Sequence, residues 1–155
     1  MSNISTKSFQ ENSNVLEINV QKVYSPTQIA VAAFIGGFVS VIYFLYANFV
    51  TLDNEDGKNK TLLYGAIFTV ALIAILPFLP DNTPSMPFVI AYVVAGRTLS
   101  EKYQMTKKDI IESNEFDFHS NWRVFGISLL CMVVSVVIVV VPLVVLSMTG
   151  VIHFK

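Results

Sequence analysis

Residues 29–50 read IAVAAFIGGFVSVIYFLYANFV, 22 positions without a charged side chain. An α-helix rising about 1.5 Å per residue needs about 20 residues to cross a hydrocarbon layer of about 30 Å. This run fits that length directly. Two further charge-free runs follow, 18 residues from Leu62 to Leu79 and 29 from Val124 to Ile152. The shorter can extend into Thr61 and Lys60, whose side chain can snorkel, and the longer can tilt or project beyond the bilayer. Together they hold 69 of the 155 residues, which confines all ten basic and eleven acidic groups to the other 86. Buried soluble helices rarely stay uncharged over such lengths. The expected fold class is all-α, an integral membrane helical bundle in the lipid bilayer, with three clear transmembrane helices.

A fourth segment is ambiguous. Met86 to Gly96 is apolar but only 11 residues long, and Arg97 follows at once. Tyr92, Gly96, Leu99 and Tyr103 then recur at helical spacing, so a helix over about 85–104 continues into an amphipathic stem. It can be a half-span, a re-entrant element or a marginal full span. The short, turn-rich link Pro80 to Ser85 favours a tightly packed antiparallel partner of the second span.

The first 26 residues form a polar tail rich in Ser and Asn, followed by a single membrane domain over 27–155. With no basic-then-apolar leader and no A-x-A site, the first apolar run reads as a retained anchor. Leu16 to Gln21 alternates like a strand, but one strand has nothing to pair with. There is no internal repeat.

Basic residues decide orientation. With three spans, the amino tail joins the region from Arg97 to Arg123 and holds seven Lys and Arg against three. With four, Lys58 and Lys60 join that region, again seven against three. Both groupings place Arg97 to Arg123 in the cytoplasm.

Ser25-Pro26-Thr27-Gln28 is a helix start: serine as cap, proline at the first turn, glutamine completing a capping box. Ala32, Gly36 and Ser40 are spaced by four, a small-residue stripe that admits close approach of another helix. An internal partner is the stronger reading over a second copy. Gly65, Thr69, Ser128 and Ser135 are the other small or weakly polar positions of the apolar runs. Their hydroxyls can bond back to their own helices. Pro77 and Pro142 end or kink theirs. Asn48 beside Tyr43, Tyr46 and Phe49, and Trp122 ahead of the last run, suit an interfacial aromatic belt.

The chemistry expected is sparse. No Asp, Glu, Lys, Arg or His lies in the three apolar runs, whereas proton relays and coupled transporters rely on intramembrane ionisable groups. Glu115, Asp117 and His119 lack the second histidine that a zinc site would want, and His153 falls at the far end of the last helix. Cys131, the single cysteine, sits mid-span as a small packing residue. No phosphate loop, HExxH or GxSxG is present. Neither an enzyme nor a cofactor is expected, and a net charge of −1 argues against nucleic acid. The segment Arg97 to Arg123 balances five basic with five acidic residues. Thr106 to Asp109 opens a short helix, and Phe116, Phe118 and Trp122 return the chain to the bilayer. This segment is an interfacial connector or a docking surface, with Tyr103, Phe116 and Trp122 as the partner-binding candidates.

Tyr24 to Ile29, Gly36-Gly37, Tyr43-Phe44-Leu45, Asn48-Phe49, Leu76-Pro77-Phe78-Leu79-Pro80, Tyr103-Gln104 and Ser120-Asn121-Trp122-Arg123-Val124-Phe125-Gly126 resemble a family of small uncharacterised bacterial multi-span membrane proteins. Phe38 stands where that pattern carries proline. The resemblance covers most of the chain after Val23 and implies a bacterial inner membrane, but no activity and no site residue. Two functions follow as expectations. The first is a non-catalytic membrane protein acting through a protein partner or a second copy, as scaffold, accessory subunit or immunity-type protein. The alternative is an oligomeric small channel or transporter component lined by Ser40, Thr69 and Ser128.

Overall fold

The computed structural model describes residues 20–80 and 82–149. In chain order these form β1 (Gln21–Val23), α1 (Pro26–Thr51), α2 (Glu55–Ile75, ending in a 3-10 turn Leu76–Phe78), α3 (Met86–Tyr103), α4 (Lys107–Glu112), β2 (Phe116–Phe118) and α5 (Asn121–Met148). The polypeptide is mainly helical, as the apolar runs require. By length and composition three helices could cross a membrane: α1, Glu55–Phe78 and α5, whose most apolar 18-residue windows have mean hydropathies of 2.2, 2.2 and 3.3.

Helix α1 starts as its sequence dictates. Ser25 Oγ accepts from the Gln28 N–H at 3.2 Å, and Gln28 Oε1 accepts from the Ser25 N–H at 3.0 Å. Two and a half turns later the helix breaks. Gly37 has φ 67° and ψ −152°, a backbone region essentially open to glycine alone. The chain reverses there. Tyr24 and Asn48 are 24 residues apart, about 36 Å along a straight helix, yet they are hydrogen-bonded at 2.7 Å. The 26 residues of α1 are therefore a helical hairpin with arms 26–36 and 38–51, both opening at the same end of the bundle. This corrects the reading of 29–50 as one through-running span, because hydropathy measures apolar length and is blind to a reversal within it. Helix α1 is thus the element in which the chain turns back on itself.

The hairpin is the centre of the fold. Its arms pack on each other through Ile29, Ala32, Ala33, Val41, Phe44 and Leu45, with Tyr24 and Val124 closing the cluster. The second arm runs antiparallel to α2: Gly57 lies against Phe49, Gly65 faces Ile42, and Phe38 meets Phe68 at 6.1 Å between ring centroids. Helix α5 runs alongside the first arm, and α3 covers both, with Gly96 against Ile29 and Val41.

The expected tight α2–α3 pairing is replaced by this arrangement. Phe38, just past the turn, fills the space between them at 6.1 Å from Phe68 and 6.2 Å from Tyr92. The two helices meet through the Phe68–Tyr92 edge contact. Helices α2, α3 and α5 run on past the hairpin tip, whereas α1 turns back within the bundle.

The strands correct a second expectation. Gln21–Val23 pairs in parallel with Phe116–Phe118, in the register Gln21↔Phe116, Lys22↔Asp117 and Val23↔Phe118. The His119 N–H extends the ladder to the Val23 carbonyl at 3.1 Å. The partner of this strand lies about 95 residues downstream, where local alternation gives no hint of it. Residues 16–19 of the alternating stretch lie outside the described residues, as does His153.

Candidate functional site

Two polar clusters stand out, one at the open end of the hairpin and one at its tip. At the open end Asn48, almost fully buried, mimics a peptide unit. Its Oδ1 accepts from the Tyr24 N–H at 2.7 Å and its Nδ2 donates to the Tyr24 carbonyl at 2.7 Å. The same Nδ2 donates to Gln104 Oε1 at 2.9 Å, and Gln104 Nε2 donates to the Leu45 carbonyl at 2.8 Å. Ser100, also buried, donates to Gln104 Oε1 at 3.2 Å. A single knot thus ties the start of α1, its end and the end of α3. Asn48 was expected at an aromatic belt. Its position near the close of an apolar run fits that reading equally well, since the partner that buries it is 24 residues away.

Gln28 makes the next link. Its Nε2 donates to the His119 carbonyl at 2.7 Å and to Asn121 Oδ1 at 2.8 Å, joining α1 to the entrance of α5. The His119 ring lies over Tyr24 at 4.2 Å between centroids, and Tyr24 meets Phe44 edge-on at 4.6 Å. Burial pushes the His119 imidazole below its ordinary value, and the nearby Arg123 and Lys22 push it the same way. Burial raises the Tyr24 phenol, while Arg123 pulls against that rise. The described ion pairs, Lys58–Glu55, Lys60–Asp56, Arg97–Glu101 and Lys108–Glu112, are all three or four residues apart. Such local surface pairs are screened by solvent and do not set the fold.

At the tip, Gly36 is pressed against α5. A Cβ there would meet Ser40 Oγ, the Ser128 carbonyl oxygen at 2.5 Å and Cys131 Cβ at 3.1 Å. Ser135 Oγ donates across to the Gly36 carbonyl at 2.9 Å, supplying a partner at the break. Ser128 and Thr69 instead bond back to Val124 and Gly65 of their own helices. Ala32, Gly36 and Ser40 are all buried, but the chain reverses between the last two. They therefore sit on two arms around one turn rather than along one helix face. Ser40 Oγ is the one buried side-chain oxygen without a hydrogen bond among the described residues.

The candidate partner residues spread over the open end. Trp122 is 82% exposed and Tyr103 57%, whereas Phe116 is half-buried in β2. Glu115, Asp117 and His119 do not converge, and no group of three metal-ligating side chains occurs among the described residues. Asn48, Ser100 and Gln104 are the functional-looking residues that sequence reasoning missed. No protein-family model, curated protein or solved structure matches the chain.

Proposed function

We propose that the chain is a non-catalytic integral membrane protein of the bacterial inner membrane that acts through protein–protein contacts at its cytoplasmic end. Membrane residence is supported by where the apolar side chains point: only 6% of the most apolar stretch of α2 and of α5 is buried within the molecule. Soluble monomers rarely expose apolar patches beyond a few hundred Å². Orientation follows from charge. The hairpin brings Lys22, Lys58, Lys60, Arg97, Lys102, Lys107, Lys108 and Arg123 to the open end, eight of the ten basic residues, and Lys7 and Lys155 lie outside the described residues. Such an excess marks the cytoplasmic side. It merges the two groupings that the sequence left as alternatives.

The observation that carries the non-catalytic reading is how the buried amides are spent. Asn48 and Gln104 direct their hydrogen bonds to backbone groups and to each other, which locks a shape. Exposed Trp122 and Tyr103 beside that locked end are the side chains able to anchor a partner, since aromatics carry much of the energy of small interfaces. A photo-crosslinking residue at Trp122 or Tyr103, tested in native membranes, should give a discrete protein adduct, while one at Val137 should give lipid adducts only. Lipid adducts alone at Trp122 and Tyr103, with solute leak from liposomes holding the purified chain, would replace this reading with the channel alternative.

A further inference from the structure

We propose that the outer edge of β1 is a docking site for an extended peptide segment of a protein partner, which adds to the β1–β2 pair as a third strand. The ladder shows which backbone groups are left for it. Gln21 donates to the Glu115 carbonyl at 2.8 Å, and the Val23 carbonyl accepts from the His119 N–H at 3.1 Å. Gln21 and Val23 thus turn their peptide groups toward β2. Successive residues of a strand alternate, so Lys22 between them directs its own N–H and C=O to the opposite side. Tyr24 shares that direction, and its N–H and C=O are the pair taken up by the Asn48 amide. Asn48 therefore stands where a residue of a third strand would stand, and it closes the edge at Tyr24 only.

Among the described residues no hydrogen bond meets the outward pair of Lys22, and Val20, Gln21 and Lys22 are all exposed. The other edge of the pair is treated differently. Phe118 of β2 donates its outward N–H to Asp117 Oδ1 at 2.7 Å, and a side chain spent in this way blunts an edge. One edge is closed and one is open, both at the end of the bundle that carries Tyr103 and Trp122. The occupant follows from the chemistry of the open edge. A donor and an acceptor at strand spacing are matched by another extended backbone, whereas a phospholipid phosphate offers acceptors alone. The strand is short, so the edge sets the direction and register of a segment that the neighbouring aromatic side chains anchor.

This inference rests on the protein-partner reading and specifies how the partner is held. A photo-crosslinking residue at Gln21, in the full chain in native membranes, reads the edge, while one at Trp122 reads the partner alone. Lys22→Pro removes the outward N–H and no ladder donor, and proline is tolerated where a strand's N–H faces solvent. The protein adduct at Gln21 should fall about tenfold in Lys22→Pro. It should persist in Lys22→Gln, which alters the charge alone. Slow hydrogen exchange at the His119 N–H checks that the β1–β2 ladder survives the change. Val20→Pro, which removes the next outward donor from a position ahead of the strand, should give the same loss if Lys22→Pro disturbs the ladder. Full-strength adducts in both proline variants, an equal loss in Lys22→Gln, or an adduct made only of this chain would each overturn the edge proposal. An adduct at Trp122 with none at Gln21 would overturn it and leave the partner reading standing, and adducts at neither site would remove both.

Discussion

Tyr24 and Asn48 exchange two hydrogen bonds of 2.7 Å across a separation of 24 residues, the side-chain amide of one answering the backbone N–H and carbonyl of the other. This pairing holds the hairpin shut. Both groups of Tyr24 are buried just outside the helix, where neither water nor an intrahelical partner reaches them. In such a place an unmet donor or acceptor costs about 1–3 kcal/mol.

Asn48→Leu should accordingly lower stability by about 2–5 kcal/mol, since two backbone groups lose their partners together. Gln104→Leu should cost less, about 1–2 kcal/mol, because Asn48 keeps both bonds to Tyr24. Chemical or thermal unfolding of the purified protein in detergent measures both. Equal losses would contradict the primacy of the Tyr24–Asn48 pair, and a larger loss at Gln104 would centre the knot there.

The turn makes a different demand at each glycine. Gly37→Ala should cost about 1–3 kcal/mol through backbone strain, there being no close neighbour for its Cβ except Ser135 Oγ at 3.7 Å. Gly36→Ala forces its Cβ onto the Ser128 carbonyl oxygen and should be at least as damaging. Gly126→Ala meets nothing within 4 Å and should be neutral or stabilising by up to about 1 kcal/mol. The same unfolding assay ranks the three.

Ser135→Ala removes the partner that α5 offers to the Gly36 carbonyl. A loss of about 1–2 kcal/mol is expected. Ser128→Ala, which removes a bond within one helix, should cost less.

His119 gives a pH dependence of defined sign. Its folded-state pKa is lowered from 6.5, by burial first and by Arg123 and Lys22 after it. Above 6.5 both folded and unfolded states hold it neutral, so it has no effect. As pH falls below 6.5 the unfolded chain takes up the proton first, and stability declines until the folded state is protonated too. NMR titration of His119 should give a midpoint below 6.5 that rises in Arg123→Gln. A midpoint unmoved by that change would remove Arg123 from its surroundings.

What the sequence disclosed was local. The capping box at Ser25 and Gln28 forms as its spacing requires, and Thr106 with Asp109 makes a second one at the start of α4. The helices cover the three apolar runs within the described residues, and Pro77 closes α2 in a 3-10 turn. What stayed hidden was every feature that depends on the chain meeting itself far away. A four-residue spacing through Ala32, Gly36 and Ser40 presumes a continuous helix, and two adjacent glycines are equally compatible with close packing and with reversal. Asn48 near the end of that run and the polar Tyr24 to Gln28 ahead of its start were the available hint, because a hairpin brings such groups together. Parallel pairing of Gln21–Val23 with Phe116–Phe118 had no comparable local sign.

The hairpin is tested most directly by side-specific thiol labelling of single cysteines in a Cys131→Ser background in intact cells. Lys22 precedes α1, Glu55 follows it, Lys108 lies in α4, and Thr83 lies in the link between α2 and α3 at the other end of the bundle. Cysteines at Lys22, Glu55 and Lys108 should all be protected from an impermeant reagent until the cells are permeabilised, while one at Thr83 should label at once. Labelling that puts Lys22 and Glu55 on opposite faces of the membrane would show that α1 crosses it, and would contradict the re-entrant fold.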